Sequence, residues 1–361
     1  MLAPLSALDP LRFATVPILQ ATVAASRRLA ELKGVAATIP NESILISSLA
    51  LQEAKDSSAI ENIVTSHDDL FQADAMPDTG SSVAAKEVRD YAQALRAGFE
   101  RVRTHGLLTN ATVLDIQATL EKNRAGFRKV PGTTLRDASG RVVYTPPQDA
   151  TVVLDLMHDL EHFLNDDSRF DADPIVKMAI AHHQFESIHP FYDGNGRTGR
   201  IINVLYLVRR GLLDSPVLYL SRHIVRTRSE YYRQLQAVRE TGDWAPWVLY
   251  MLEAVERTAE ETITTVRSIG RALLDYKHRI RSRHRFYSQD LVNNLFRHPY
   301  TRVAFIEADL GVTRLTATRY LESLVSDGLL AKRRAGRTNY YVNIALVDIL
   351  RRAEAVPAGD M

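Results

Sequence analysis

The 361-residue chain is 45% hydrophobic and 24% charged, the balance of a globular protein with room for two or three domains. It has no cysteine, which excludes disulfides, zinc–thiolate sites and cysteine nucleophiles and fits a reducing compartment. The net charge of +2 is uneven: Lys277 to Tyr340 holds thirteen Lys and Arg against five Asp and Glu, or +8, which leaves −6 elsewhere. A basic C-terminal module on a mildly acidic body is expected.

The start, MLAPLSALDPLRF, has neither a basic lead nor a long apolar core, and no run of about 18 apolar residues occurs. Neither a signal peptide nor a membrane span is expected, and the chain reads as cytoplasmic. Asn41 to Ile63 opens with Asn, Glu and Ser, suited to a cap and first turn, and continues with apolar residues at helical spacing to Glu61-Asn62. SSVAAKEVRDYAQALRAGFERV and TNATVLDIQATLEKN are amphipathic helices. The pattern breaks from Phe127 to Asp149: Pro131-Gly132, the turn-like DASG, the β-branched Val142-Val143 and Pro146-Pro147 predict a short β-hairpin. A lone hairpin in a helical domain is either a decorated loop or a flap over a site.

Helix resumes at ATVVLDLMHDLEHFLND, and the next helix takes Asp173 as N-cap with Pro174 in its first turn. RIINVLYLVRR is apolar nearly all round, predicting a buried central helix stopped at Gly211. RSEYYRQLQAVRETGDWAPW continues the helical body. The charge run KHRIRSRHR is a candidate domain boundary, followed by three short helical patterns and GLLAKRRAGRTNYYVN.

The densest chemistry lies in SIHPFYDGNGRTGR, Ser187 to Arg200. Gly194, Gly196 and Gly199 match a dinucleotide fingerprint, but that fold needs a strand before the loop, and helix precedes this one. A phosphate-loop reading lacks both the strand and the Lys-Ser/Thr pair. What remains is a glycine turn that exposes backbone N–H groups at a helix N-terminus, an anion site. Arg197 and Arg200, three apart, suit a polyphosphate. Asp193 beside an anion nest calls for a bridging Mg²⁺, and His189 is placed as a base. The plain alternative is a glycine turn with paired arginines.

The string HPFYDGNGRTGR resembles the signature of the Fic/Doc family, H-P-F-x-[DE]-G-N-G-R-x-x-R, at every fixed position. The resemblance implies a mainly α fold, a Fic-type helical bundle with a β-hairpin flap, and transfer of AMP from ATP to a Ser, Thr or Tyr hydroxyl of a target protein. His189 would take the hydroxyl proton and Asp193 would hold Mg²⁺. Residues Gly194, Asn195, Gly196, Arg197, Thr198, Gly199 and Arg200 would bind the ATP phosphates, with Phe191 as a core anchor. The hairpin resembles the family's flap, so Arg136, Val142, Val143 and Tyr144 would dock the target chain. EYYRQL resembles the adenine-pocket segment, making Tyr231 and Tyr232 nucleobase candidates; an asparagine common in the family falls at Arg239.

SSAIEN, Ser57 to Asn62, resembles the inhibitory motif [ST]-x-x-x-[ED]-[GN] of regulated members. Ser57, Glu61 and Asn62 would then form a brake, with Glu61 pairing with Arg200 through a bidentate bridge. Glu61 would otherwise orient a water for AMP removal. The expected organisation is an N-terminal helical region (1–105) with the inhibitory helix at about 41–63, a catalytic core (106–265) with the flap at about 128–147 and the motif at 189–200, and a winged helix-turn-helix (273–345). In the last, Thr313 caps a recognition helix bearing Arg314, Thr316, Thr318 and Arg319, and Lys332, Arg333, Arg334 and Arg337 sit on the wing.

Expected partners are a target protein, the chain itself included, then duplex DNA at the winged helix and a second copy in a homodimer, with no membrane. Two other classes stand beside the transferase. One is a DNA-binding regulator with a nucleotide-sensing Fic-like domain. The other is a metal hydrolase built on His182, His183 and His189, or on His158 and His162.

Overall fold

The computed structural model describes residues 2–75, 82–137, 139–168, 170–335 and 338–355. After two 3₁₀ turns come α1 (Val16–Ala36), α2 (Glu42–Ile60), α3 (His67–Ala75), α4 (Val83–His105) and α5 (Asn110–Glu121). Asn41 caps α2 by accepting from the Ser43 N–H at 3.0 Å, which satisfies a donor that the first turn leaves unpaired. The hairpin follows as β1 (Leu135–Arg136) and β2 (Val142–Tyr144), antiparallel, with a register shift between Leu135 and Arg136.

The centre of the bundle is α6 (Ala150–Asn165), α7 (Pro174–Ile188) and α8 (Asn195–Arg209). Asp173 accepts from the Ile175 N–H and Pro174 opens α7, as its cap residues predict. Both α7 and α8 are buried almost throughout. Helix α8 comes this close to α4 because Gly98 has no side chain: a Cβ there would lie 2.6 Å from Leu205 and 2.9 Å from Ile116. Gly211, with φ +67°, lies just past the end of α8.

Next come α9 (Leu220–Arg226), α10 (Arg228–Thr241) and α11 (Ala245–Arg283). The 39 residues of α11 span about 58 Å at helical rise. The charge run therefore does not interrupt the helix. Lys277 to Arg283 form the last turns of this helix, and the boundary expected between 265 and 273 falls inside it. A basic run is as compatible with an exposed helix face as with a loop.

Beyond α11 lie α12 (Gln289–Arg297), β3 (Tyr300–Thr301), α13 (Val303–Leu310), α14 (Arg314–Ser326), β4 (Leu330–Ala335), β5 (Thr338–Asn343) and α15 (Ile344–Ala355). The sheet order is β3-β5-β4, all antiparallel. Gly311 in the left-handed region makes the turn between α13 and α14, and Thr313 accepts from the Thr316 N–H. Two helices joined at a glycine turn are thus followed by an antiparallel β4–β5 hairpin. The module docks on the N-terminal helices: Asp68 accepts from Tyr300 and Arg351, and Gln72 donates to the Tyr340 hydroxyl. Among the described residues no helix is long and apolar enough to cross a membrane.

Candidate active site

Helix α7 ends at His189, which holds a left-handed conformation (φ 48°, ψ 60°) that costs a non-glycine residue about 1–3 kcal/mol. Its surroundings fix it there. Each carbonyl at this helix end has a donor. Phe185 O accepts from the His189 N–H at 2.9 Å, and Glu186 O from Arg239 Nη2 at 3.2 Å. Ser187 O accepts from the Tyr144 hydroxyl at 3.0 Å. Arg128 serves Ile188 O at 3.2 Å and His189 O at 2.8 Å, and its own N–H donates to Pro190 O at 2.8 Å. A third Arg128 contact reaches Pro147 O, so one buried guanidinium ties the flap's exit to the histidine's backbone. Two cations at a helix C-terminus also match the sign of its dipole.

Across the loop, Gly194 caps α8 with φ +77°, and a Cβ there would meet a Glu121 carboxylate oxygen at 2.5 Å. The first bond within the helix runs from Thr198 N–H to Gly194 O. The N–H groups of residues 195–197 precede it and have no acceptor within the helix. The Asn195 side chain serves the loop itself: it accepts from Phe191 N–H at 2.8 Å and donates to Phe191 O at 2.9 Å. Phe191 is fully buried. Asp193 accepts from Gly194 N–H at 2.7 Å.

The two arginines of α8 already have anions. Arg197 donates to Glu87 at 3.1 Å and Glu121 at 2.8 Å. Arg200, 1% exposed, donates from Nη2 to Glu61 at 2.9 Å and to Ser57 O at 3.0 Å, and from Nε to Ser57 Oγ at 2.8 Å. The expected bidentate bridge is thus a single bond, because Ser57 takes the second edge of the fork. Glu61 itself is the C-cap of α2. Asn62 follows in the left-handed region (φ 64°) and accepts from Arg228 at 2.8 Å. Gly196 makes room for this contact: a Cβ there would overlap the Glu61 carboxylate and approach Arg200 at 2.9 Å.

A cleft of about 410 Å³ is lined by Glu61, Glu87, His189, Asp193 and residues 194–197. Burial, then the charges of Arg128 and Arg239, pull the His189 imidazole down to about 4, so it is neutral at neutral pH. Burial pushes the Glu61 carboxyl up, but the Arg200, Arg197 and Arg228 charges outweigh it and hold the group below its ordinary value. Glu186, buried behind the loop with Oε1 unpartnered, is pushed up to about 7 by desolvation.

Several residues named from the sequence stand apart from this cleft. Thr198 is fully buried, and Gly199 faces Glu186, Phe185 and His182 across the α7–α8 contact. Tyr231 is a core residue, 1% exposed, whose hydroxyl lies 2.9 Å from His182 and whose ring packs on Trp247; of the pair only Tyr232 is exposed. Tyrosine spacing on a helix does not say which ring turns inward. On the flap, Val142 and Val143 are exposed, Arg136 donates to Gly140 O, and Tyr144 turns in toward α7. His183 contacts Leu235 O, and His158 pairs with His162 at 3.0 Å. Among the described residues no three His, Asp or Glu side chains gather as a metal site. Arg128, Glu87, Glu121, Glu186 and Arg239 carry no role in the sequence reading. All but Glu186 reach the site over long sequence separations.

Three family profiles match the chain: the Fic/DOC family N-terminal at residues 19–100, the Fic/DOC family at 107–207, and the protein adenylyltransferase SoFic-like C-terminal domain at 274–346. Protein adenylyltransferase fic-1 of Caenorhabditis elegans is 29% identical over 215 residues, 57% of this chain and 40% of that protein. Protein adenylyltransferase Fic of Drosophila grimshawi is 28% identical over 195 residues, 53% of this chain and 39% of that protein. The chain thus spans about two-fifths of the curated relatives it matches. A Fic family protein of Desulfovibrio desulfuricans G20 shares the fold over 90% of this chain and 95% of its own, with a TM-score of 0.56 and 22% identity. A structure of C. elegans Fic-1, in a variant with one glutamate replaced by glycine, aligns over 70% of this chain and 76% of its own, at TM-score 0.52 and 26% identity. With its signature loop, helical bundle and C-terminal module all matched, the chain belongs to the Fic/DOC family.

Proposed function

We propose that the chain is an ATP-dependent protein adenylyltransferase restrained by Glu61. The observation that carries this reading is the shared cleft: a neutral imidazole, His189, and the open N-terminus of α8 line one space, with Glu61 seated on Arg200 at its edge. The names of the curated relatives support the reaction class.

The triphosphate lies against the N–H groups of residues 195–197 at the positive end of α8. Arg197 and Arg200 neutralise its oxygens. The target's hydroxyl oxygen attacks the α-phosphorus while its proton passes to His189. The bond to the bridging oxygen breaks and pyrophosphate leaves, so AMP ends on the target as a phosphodiester. The donor set fits Mg²⁺ as nucleotide-borne magnesium is held, by one or two carboxylates plus phosphates and water; Asp193 would hold it, and it would supply charge neutralisation on the phosphates. With Glu61 on Arg200, the terminal phosphate lacks its clamp and ATP binds without reacting.

Transfer of label from α-labelled ATP tests this: Glu61→Gly raises incorporation and His189→Ala removes it. Label released from a modified protein by the wild type but not by Glu61→Gly would add AMP removal to the role of Glu61.

Duplex DNA is the second partner we propose. Arg314 and Arg319 are exposed on α14, while Asp309, Asp327 and Glu322 of the same module are engaged by Arg297, His284 and Lys332. Lys332, Arg333 and Arg334 lie on β4, and Arg337 lies outside the described residues. A gel shift weakening steeply with salt is expected; no binding at low salt overturns the idea.

A further inference from the structure

We propose that Arg239 is a positioning residue for the protein substrate: it latches the hairpin flap onto the end of α7 and takes no part in holding the nucleotide. The proposal rests on the adenylyltransferase reading for what the flap is for, though the latch is a property of the fold.

Strand β1 has two residues and β2 has three, with one register irregularity between them. Two strands that short have no independent stability in water. Something outside the hairpin must hold it. Beside the Arg128 tie at Pro147, it is held at Tyr144, the last residue of β2. The Arg239 guanidinium carbon lies 4.1 Å from the Tyr144 ring centroid. The same guanidinium donates to Ser187 Oγ at 3.0 Å and Glu186 O at 3.2 Å, and the Tyr144 hydroxyl donates to Ser187 O at 3.0 Å. Arginine from α10 and tyrosine from the flap therefore meet on two adjacent backbone units, two and three residues before the base.

A planar guanidinium lays its face on a ring while its rigid edge donates to two acceptors, a fixed geometry that the compact lysine ammonium or the short, uncharged asparagine amide does not reproduce. Val142 and Val143, just before the latched tyrosine, are exposed on the strand. An extended target segment can pair there, and its hydroxyl is then held at a fixed offset from His189. Arg239 lines a separate cavity of about 750 Å³, together with Tyr144, and does not line the glycine-loop cleft.

The test uses the full chain in a Glu61→Gly background, with three single variants: Arg239→Gln, Arg239→Lys and Tyr144→Leu. Amide exchange at residues 142–144 is expected to quicken about tenfold, the loss of one desolvated cation–ring contact. ATP affinity by calorimetry should stay within about twofold. The double variant Arg239→Gln/Tyr144→Leu should be no faster than either single, and Lys should not restore protection. With a His189→Ala copy of the chain supplied as acceptor, KM for the acceptor should rise while KM for ATP holds. Unchanged exchange at the flap, or a tenfold loss of ATP affinity, overturns the latch. An absence of AMP transfer from the Glu61→Gly parent counts against the adenylyltransferase reading and leaves the exchange result standing.

Discussion

At the end of α7 every carbonyl from Phe185 to Pro190 has a donor, whereas at the start of α8 the N–H groups of residues 195–197 have no acceptor within the helix. The first end is closed by a buried arginine, a second arginine and a tyrosine from the flap. The second is closed only by side chains that can leave, since Glu61, Glu87 and Glu121 sit on its arginines. One end fixes a base; the other is prepared for an anion it does not yet hold. Strain and satisfaction go together here, because the left-handed His189 persists only while its neighbours over-determine it.

The sharpest way to break this contrast is to remove the base. His189→Ala should lower AMP transfer by about 10²–10⁴-fold, the usual contribution of a positioned general base, with unchanged unfolding in a thermal scan. Next is the closed end. Arg128→Leu orphans three carbonyls, at about 1 kcal/mol or more each, and so should cost roughly 3 kcal/mol in a denaturant titration. A loss within about 0.5 kcal/mol would mean that water or the chain takes over those acceptors.

The imidazole of His189 offers a third test. Its folded value of about 4 lies below the ordinary 6.5, so the unfolded chain binds the proton first as pH falls. Stability is lost from about pH 6.5 down to about 4, and the base is competent above about 4. Imidazole titration by NMR in the ligand-free protein should find a midpoint near 4; a midpoint near 6.5 would mean that the site is wetter than its geometry. The smallest effect belongs to the C-terminal module. Arg314→Ala should leave stability within about 0.5 kcal/mol and reduce the salt slope of DNA binding by about one.

How much of this was legible follows the range of the interactions. The glycine loop, the cap at Asp173 and the turn at Gly311 are local, and the residues that make them stand side by side in the sequence. SSAIEN could be read as a contact of Arg200 only through family resemblance, since 139 positions separate Glu61 from it. The single-bond geometry with Ser57 was not legible at all. Arg128 and Arg239 look like ordinary surface arginines in a helical protein, and only the packed structure brings them to the same helix end. For Tyr231 the sequence hides the opposite fact: a plausible contact residue by its place in EYYRQL is buried in the core. The charge run from Lys277 marks a change of composition, but its residues up to Arg283 continue the helix without a break, which composition does not show.

The central claim is that Glu61 holds the cation that a bound triphosphate needs. Intact-mass measurement of the Glu61→Gly chain incubated with ATP and magnesium, beside the wild type and the Glu61→Gly/His189→Ala double variant, tests it most directly. The account predicts an added AMP on the single variant, roughly ten- to a hundred-fold above wild type, equal to about 1.4–2.8 kcal/mol, and none on the double variant. Equal labelling of wild type and Glu61→Gly, or labelling that survives the loss of His189, would contradict it.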